Sequence, residues 1–469
     1  MKKEVDVAII GAGSAGLYAL SQVKKETDNF IIINDGPYGT TCARVGCMPS
    51  KSLIQIAEYY HDRLHFEKSG IHNADKLEVS IPDVLQRVRK HRDILVDYNI
   101  KNSITTLGDK TLTGKAEFID THTLKVGDNE IHAKKIIIAT GSTPVYDTTW
   151  DNFREYILTT DELFEQHDLP PTLGVLGLGV IGLEIGQALS KLGIKVTAIN
   201  SKEFIGGLSD PDINNVMVSL CEEEFDMWLG GERASLEKIN NKVKIRSGKR
   251  EVLVDKVLIS IGRKPNLKAL KLENIGISLD KKGMPNFNPQ TMQIEDLPIY
   301  MAGDVNADRP LLHEAADEGR IAGYNAIHAQ KPFKRKVPLA IVFTDPNIAF
   351  IGKEYNEIKD DDSVLIGSYS FSKQARAMLM NVNKGIANLY VQKSDGKILG
   401  AQIAVPGAEH LAHHIAWAIE QNLTVYQMMK FPFYHPTLEE GLYLLLLDCI
   451  KKLGIKKKGI LEIPFLENK

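Results

Sequence analysis

Short, nearly continuous apolar runs alternate along the chain with amphipathic stretches. Val5-Asp6-Val7-Ala8-Ile9-Ile10 is followed by a helical pattern from Leu17 to Lys25 and a second apolar run, Phe30 to Ile33. The same succession returns at Leu173 to Leu176, Leu183 to Leu192 and Lys195 to Ile199. Apolar runs of this length, bounded by glycine turns and separated by helix-period segments, predict buried parallel strands joined by helices. A helical stretch from Ser50 to Asn102 comes next, then a strand-rich segment that ends in Ile136-Ile137-Ile138-Ala139-Thr140-Gly141. Val257-Leu258-Ile259 and Ile299-Tyr300-Met301-Ala302 predict two more strands. After residue 338 the pattern changes to short strands, at Leu339 to Phe343, Ile348 to Gly352, Ala387 to Gln392 and Ile398 to Val405, interspersed with helices. That change predicts a separate α+β unit.

Each of the two βαβ patterns carries a complete GxGxxG, at Gly11-Ala12-Gly13-Ser14-Ala15-Gly16 and at Gly177-Leu178-Gly179-Val180-Ile181-Gly182. The first glycine makes the tight turn, the second lets backbone approach a pyrophosphate, and the third lets helix pack on strand. The anion then rests on the free N–H groups of a helix N-terminus. One such motif serves many loops; two, each between strand and helix, predict two dinucleotide sites. The carboxylate expected at the end of the second strand is replaced by Asn34 in one unit and Asn200 in the other, with Asp35 next to the first.

Composition narrows the class. With 57 basic and 60 acidic residues in 469, the formal charge of −3 gives no field for generic binding to nucleic acid or anionic lipid. No apolar run approaches a membrane span, the best being Leu442 to Leu447, and no signal-peptide pattern precedes Val5, so a cytoplasmic protein without nucleic-acid or membrane partners is expected. Four cysteines are too few for a disulfide framework in a chain of this length.

Two of them, Cys42 and Cys47, fall in Gly39-Thr40-Thr41-Cys42-Ala43-Arg44-Val45-Gly46-Cys47-Met48-Pro49-Ser50-Lys51. Five steps along an ideal helix rise about 7.5 Å, beyond the reach of a disulfide, so a bridge here needs a distorted turn, which Gly46 permits. The spacing is not a common zinc pattern and no second pair completes four ligands, so no metal is expected. Two unrelated buried thiols are the alternative. His410, His413 and His414 share a helical face and read as a polar stripe, and Lys456-Lys457-Lys458 as an exposed tail.

The cysteine segment, the two glycine motifs, Ile138-Ala139-Thr140-Gly141, Ala302-Gly303-Asp304 and His435-Pro436-Thr437-Leu438-Glu439-Glu440, in this order, resemble the class I pyridine nucleotide-disulfide oxidoreductases, the flavoprotein disulfide reductases. The likeness spans nearly the whole chain and is strongest to the dihydrolipoyl dehydrogenase branch. It implies an α/β protein with two Rossmann-like domains: an FAD domain over 1–148 and an NAD(P) domain over 149–267. A central segment, 268–338, returns to the FAD domain, and a C-terminal α+β dimerisation domain covers 339–469.

By the same resemblance, FAD is held by Gly11, Gly13, Gly16, Thr41, Lys51, Thr140, Gly141 and Asp304, with Asn34 and Asp35 at the ribose end. The nicotinamide cofactor is held by Gly177, Gly179, Gly182, Asn200 and Gly262. NAD is the cofactor implied; Lys202 leaves NADP open. Cys42 matches the interchange thiol and Cys47 the thiol facing the flavin, the two forming a redox disulfide. Lys51 and Glu184 match an ion pair beside the flavin, and His435, oriented by Glu440, matches the base. The implied protein is a homodimer with active sites shared between subunits. Its implied reaction is oxidation of dihydrolipoamide to lipoamide with reduction of NAD⁺, on a lipoyl-bearing protein of a 2-oxo acid dehydrogenase or glycine cleavage complex.

Three features depart from that branch. Arg44 stands where asparagine is usual and would depress a thiolate pKa, attract an anionic disulfide or face solvent. Asn200-Ser201-Lys202 carries neither the acid of NAD sites nor the arginines of NADP sites, and Phe433-Tyr434 precedes His435 where another histidine is common. An NAD(P)H-dependent reductase of another low-molecular-weight, anionic disulfide is therefore the alternative. Mercuric and large thioredoxin reductases need a second C-terminal cysteine pair, which a tail holding only Cys449 lacks.

Overall fold

The computed structural model describes residues 2–454; the lysine-rich segment Lys456-Lys457-Lys458 lies outside the described residues. Its first sheet has seven strands. Lys2–Ile10 lies between Phe30–Asn34 and Asn129–Ile138, parallel to both, and Ile299–Met301 adds to Asn129–Ile138, also in parallel. Within them Val7 to Ile10, Phe30 to Ile33 and Ile136 to Ile138 are buried on both faces, hence the short unbroken apolar runs there. A second sheet orders Asp226–Leu229, Lys195–Asn200, Thr172–Leu176, Lys256–Ile259 and Ile157–Leu158, all parallel. The third, over residues 339–405, is an antiparallel sheet of five strands packed beneath the helices Ala408–Glu420 and Glu440–Lys452.

The helical stretch expected across Ser50 to Asn102 is not continuous. It divides into Cys47–His61 and Ile81–Asn99, because Gly70 takes a left-handed φ of 78° and Ser80 starts a new helix by capping Asp83 N, with Pro82 in the first turn. Two further elements carry no strong sequence signal: the antiparallel strands from Ser235 to Val254, and Val364–Ser370 at one end of the third sheet.

The return of residues 299–327 to the first sheet positions Asp304. The helix Leu312–Ile327 lies so close on Ser14–Val23 that a Cβ on Gly319 would stand 2.3 Å from Ala15 O and one on Gly323 2.4 Å from Ala19 O. The fully buried Glu318 on this helix accepts hydrogen bonds from Gly303 N and Asn306 Nδ2, both at 2.7 Å, and pairs with Arg335 at 2.8 Å. That carboxylate fixes the turn carrying Asp304, whose Oδ2 accepts from Ser142 Oγ at 2.9 Å. Among the described residues no helix is long and apolar enough to cross a membrane.

Candidate functional site

The cysteine segment forms two helices with a break between them. Thr40, at φ 60°, caps the short helix Thr41–Arg44 by accepting from Ala43 N at 3.2 Å. Val45 and Gly46 leave helical geometry, and the second helix begins at Cys47 itself. A Cβ on Gly46 would sit 3.1 Å from Thr41 O and 3.2 Å from Cys42 Cα, so the tight approach at the break suits glycine. The break brings the Cys42 and Cys47 thiols close enough that each is the largest influence on the other's titration.

The electrostatics of the two sulfurs differ. The proximity of the Cys42 thiol, and then the Lys51 ammonium, bring the Cys47 thiol below its usual range against the opposing effect of burial, and Cys47 also stands in the first turn of its helix. The same proximity, followed by burial, pushes the Cys42 thiol up. In the reduced protein Cys47 is therefore the thiolate and Cys42 the proton donor. Iodoacetamide should label Cys47 with a midpoint below that of a free thiol, slowing at lower pH as the thiolate is protonated. Lys51→Met should move that midpoint upward, and an unchanged midpoint would remove Lys51 from this role.

Lys51, one turn further along the helix, binds Glu184 on Val180–Lys191, with Nζ 2.7 Å from Oε2 and 2.9 Å from Oε1. Glu184 is only 4% exposed, its Oε1 also accepts from Phe343 N at 2.8 Å, and Lys51 lies 4.6 Å over the Phe343 ring. Three distant parts of the chain thus converge on one ion pair. Glu184→Gln leaves the Lys51 ammonium, 30% exposed, without its counter-ion, so it should lower stability by about 1–2 kcal/mol in urea unfolding, less than for a fully buried pair. Wild-type unfolding would show that the pair contributes nothing.

Arg44 does not join this cluster. Its stem passes Gly39, it makes no hydrogen bond or ion pair among the described residues, and the charges acting most on the thiols come from Lys51 and Glu184. Of its three readings, depression of a thiolate pKa has no support in this arrangement, and attraction of an anionic disulfide or exposure to solvent stay open.

The two glycine loops fit dinucleotides. A Cβ on Gly11 would lie 2.2 Å from Ala139 O and one on Gly177 2.6 Å from Ser260 O, whereas Gly13 and Gly179 face open space. Both helices start at the second glycine with no side-chain cap and no acid in the first turn, so their N–H groups are left for an anion. Asn34 Oδ1 accepts from Ala12 N at 3.0 Å while Nδ2 donates to Gly36 O at 2.9 Å. Asn200 does the same, accepting from Leu178 N at 3.3 Å and donating to Lys202 O at 2.9 Å and Phe204 O at 3.0 Å. Both amides are engaged inside the protein, bracing the glycine loop. Thr140 Oγ1 donates to Asn266 O at 2.8 Å, and Gly141 and Gly262 take positive φ beside the loops. Thr41 and Asp35 are exposed.

His435 lies apart from these groups within the chain. Its Nδ1 is 2.9 Å from Glu440 Oε1 and 3.1 Å from Oε2, and Thr437 N donates to the same carboxylate at 3.2 Å. The histidine contact holds the Glu440 carboxyl below its usual range. The imidazole is 73% exposed and makes no hydrogen bond to either thiol, and the neighbouring Tyr434 and Phe431 are exposed as well. Cys221 and Cys449 are fully buried, and burial pushes both up to about 12. His413 and His414 rest their edges on Trp417.

Periodicity gave no warning of Phe343 N, Glu318, or the cluster in which ligand atoms of His61, Glu224 and Asp345 lie within 4.8 Å of one another. In that cluster Asp345 is already bound by Lys191 at 2.8 Å and Lys384 at 3.0 Å. Only the acidic and basic residue types themselves could have marked these positions.

Residues 5–319 match the pyridine nucleotide-disulphide oxidoreductase family, and residues 338–445 match its dimerisation domain. The chain is 29% identical over 455 residues to a dihydrolipoyl dehydrogenase of Haloferax volcanii, covering 93% of this chain and 94% of the relative. It is 30% identical over 459 residues to the mitochondrial dihydrolipoyl dehydrogenase of Macaca fascicularis, covering 93% and 89%. Two solved structures share the fold. The HOCl-induced flavoprotein disulfide reductase RclA from Escherichia coli aligns with a TM-score of 0.81 at 24% identity, over 94% of this chain and 99% of its own. LpdA from Mycobacterium tuberculosis aligns at 0.82 and 25%, over 94% and 99%.

Proposed function

The chain belongs to the pyridine nucleotide-disulphide oxidoreductase family, and from that premise we propose that it oxidises protein-bound dihydrolipoamide through a Cys42–Cys47 disulfide. At the level of the family it is a flavoprotein disulfide oxidoreductase that uses FAD and NAD(P). The observation that carries the finer reading is the thiol pair itself, brought together at a helix start beside the Lys51–Glu184 pair. FAD, when bound, supplies the two-electron link between the thiols and the nicotinamide.

The protein's own groups account for the exchange. His435, held by Glu440, takes the proton of a substrate thiol, and the resulting thiolate attacks Cys42 Sγ. The Cys42–Cys47 bond breaks and Cys47 leaves as a thiolate. With Cys42 bonded to the substrate sulfur, the Lys51 ammonium still stabilises a Cys47 thiolate, which makes Cys47 the better leaving group and directs attack to Cys42. The second substrate thiol then displaces Cys42. The substrate departs as a disulfide, both electrons stay on the cysteine pair, and the protons pass to Cys42 and through His435 to solvent. Since the imidazole is exposed in the single chain and touches neither thiol, the base for one pair comes from the other subunit of a homodimer.

Steady-state turnover of the FAD-loaded protein with dihydrolipoamide and either NAD⁺ or NADP⁺ tests this reading. Fast reduction of either acceptor supports it; negligible reduction of both overturns it. A second reading, NAD(P)H-driven reduction of a small anionic disulfide, is favoured by one observation, the Arg44 guanidinium beside the thiols in sequence, which makes no hydrogen bond or ion pair among the described residues.

A further inference from the structure

The two halves of the internal repeat can be compared position by position. Asn34-Asp35-Gly36 in the first corresponds to Asn200-Ser201-Lys202 in the second, each asparagine bracing its own glycine loop through the same pair of contacts. The next two positions differ. The first unit keeps an exposed carboxylate, Asp35; the second has a hydroxyl and then an ammonium.

This difference falls at the rim of the second cleft, a cavity of about 620 Å³ running from Gly177 and Gly179 to Asn200, Ser201 and Lys202. A dinucleotide-binding strand ordinarily ends in an acid that accepts from the ribose 2′-hydroxyl and repels a phosphate placed there. Here the position is neutral, and the Asn200 carboxamide is turned inward. Its two donated bonds, to Lys202 O and Phe204 O, curl the adjoining loop over the strand end. Lys202 lines the cleft, and its ammonium has no partner among the described residues. Arg233 lines it too, 79% exposed, with only a 3.4 Å contact to Asp147. The third cation, Arg263, is tied to Ser142 Oγ and O, and the one lining carboxylate, Glu354, is turned to its own helix start as a cap. Glu203, beside Lys202, packs on Gly230 instead of lining the cleft.

We propose that this cleft selects a 2′-phosphorylated nicotinamide dinucleotide, with Lys202 and Arg233 as the phosphate-binding cations and Asn200 as the residue that removes the opposing charge. A phosphate dianion there meets Lys202, without a partner among the described residues, and the exposed Arg233, which can exchange its long 3.4 Å contact to Asp147 for a charge-assisted hydrogen bond, while the lining Glu354 is held as a helix cap. The proposal rests on the second unit being the nicotinamide-nucleotide site.

Equilibrium binding of adenosine 2′,5′-bisphosphate and of 5′-AMP to the FAD-loaded protein tests it, since the two ligands differ only in the 2′-phosphate. At low salt the bisphosphate should bind roughly tenfold tighter or better, and added salt should narrow the gap. Lys202→Ala and Arg233→Ala should each weaken the bisphosphate about fivefold and leave 5′-AMP unchanged, the double variant binding both alike. Equal binding to the wild type, or a preference that survives the double variant, overturns the proposal while leaving the nucleotide site intact. Failure of both ligands to bind overturns the assignment of the cleft as well. Retained FAD absorbance in each variant shows that the fold is unchanged.

Discussion

Cys47→Ser is expected to abolish dihydrolipoamide oxidation, with turnover falling roughly 10⁴-fold or more while FAD stays bound. Without the second sulfur no Cys42–Cys47 bond forms, and the pair cannot take up two electrons. Cys42→Ser should be equally inactive but chemically distinct. The Lys51 ammonium still stabilises a Cys47 thiolate, which persists and alkylates at a lower pH than a free thiol. Cys221→Ser should leave the rate unchanged, because that thiol is fully buried among apolar residues and held protonated. Steady-state assays of the three variants, with thiol labelling, separate these outcomes. Appreciable turnover by Cys47→Ser would place the electrons elsewhere.

His435→Gln should slow the dithiol half-reaction by roughly 10²–10⁴-fold at neutral pH, the usual contribution of a positioned base. The deficit should shrink as pH rises past about 8.5, where thiols ionise unaided. A purely structural role for the histidine would give a loss independent of pH. The exposure of His435, and its separation from the thiols within one chain, add a stricter expectation. Co-expressed Cys42→Ser and His435→Gln chains pair at random, half of the dimers are mixed, and each mixed dimer has one intact shared site, giving about one quarter of wild-type turnover. Sites contained within a single chain would give none.

Much of this was legible in the residues. The two glycine motifs marked both strand-to-helix turns, because Gly11, Gly16, Gly177 and Gly182 each meet backbone too closely for a side chain, while Gly13 and Gly179 open onto free space. Gly46 located the break between the cysteines, since a regular helix cannot bring their sulfurs together. The features that were not legible depend on contacts between segments far apart in sequence. Nothing near Phe343 reveals that its N–H orients Glu184, and nothing near Glu318 reveals that it holds the turn before Asp304. Asn34 and Asn200 read as weakened ribose ligands, yet their amides close onto their own loops. The strands Ser235–Ile239 and Val364–Ser370 escaped notice because short, half-exposed strands owe their conformation to pairing partners more than to intrinsic preference.

The most direct test of the redox pair is thiol trapping of the FAD-loaded protein, oxidised and kept under argon, before and after one equivalent of dihydrolipoamide, with alkylated cysteines identified by peptide mass. The account predicts that Cys42 and Cys47 are both unreactive beforehand and both alkylated afterwards, with lipoamide formed in matching amount. Alkylation of the pair before the dithiol is added, or none after it, would contradict the account.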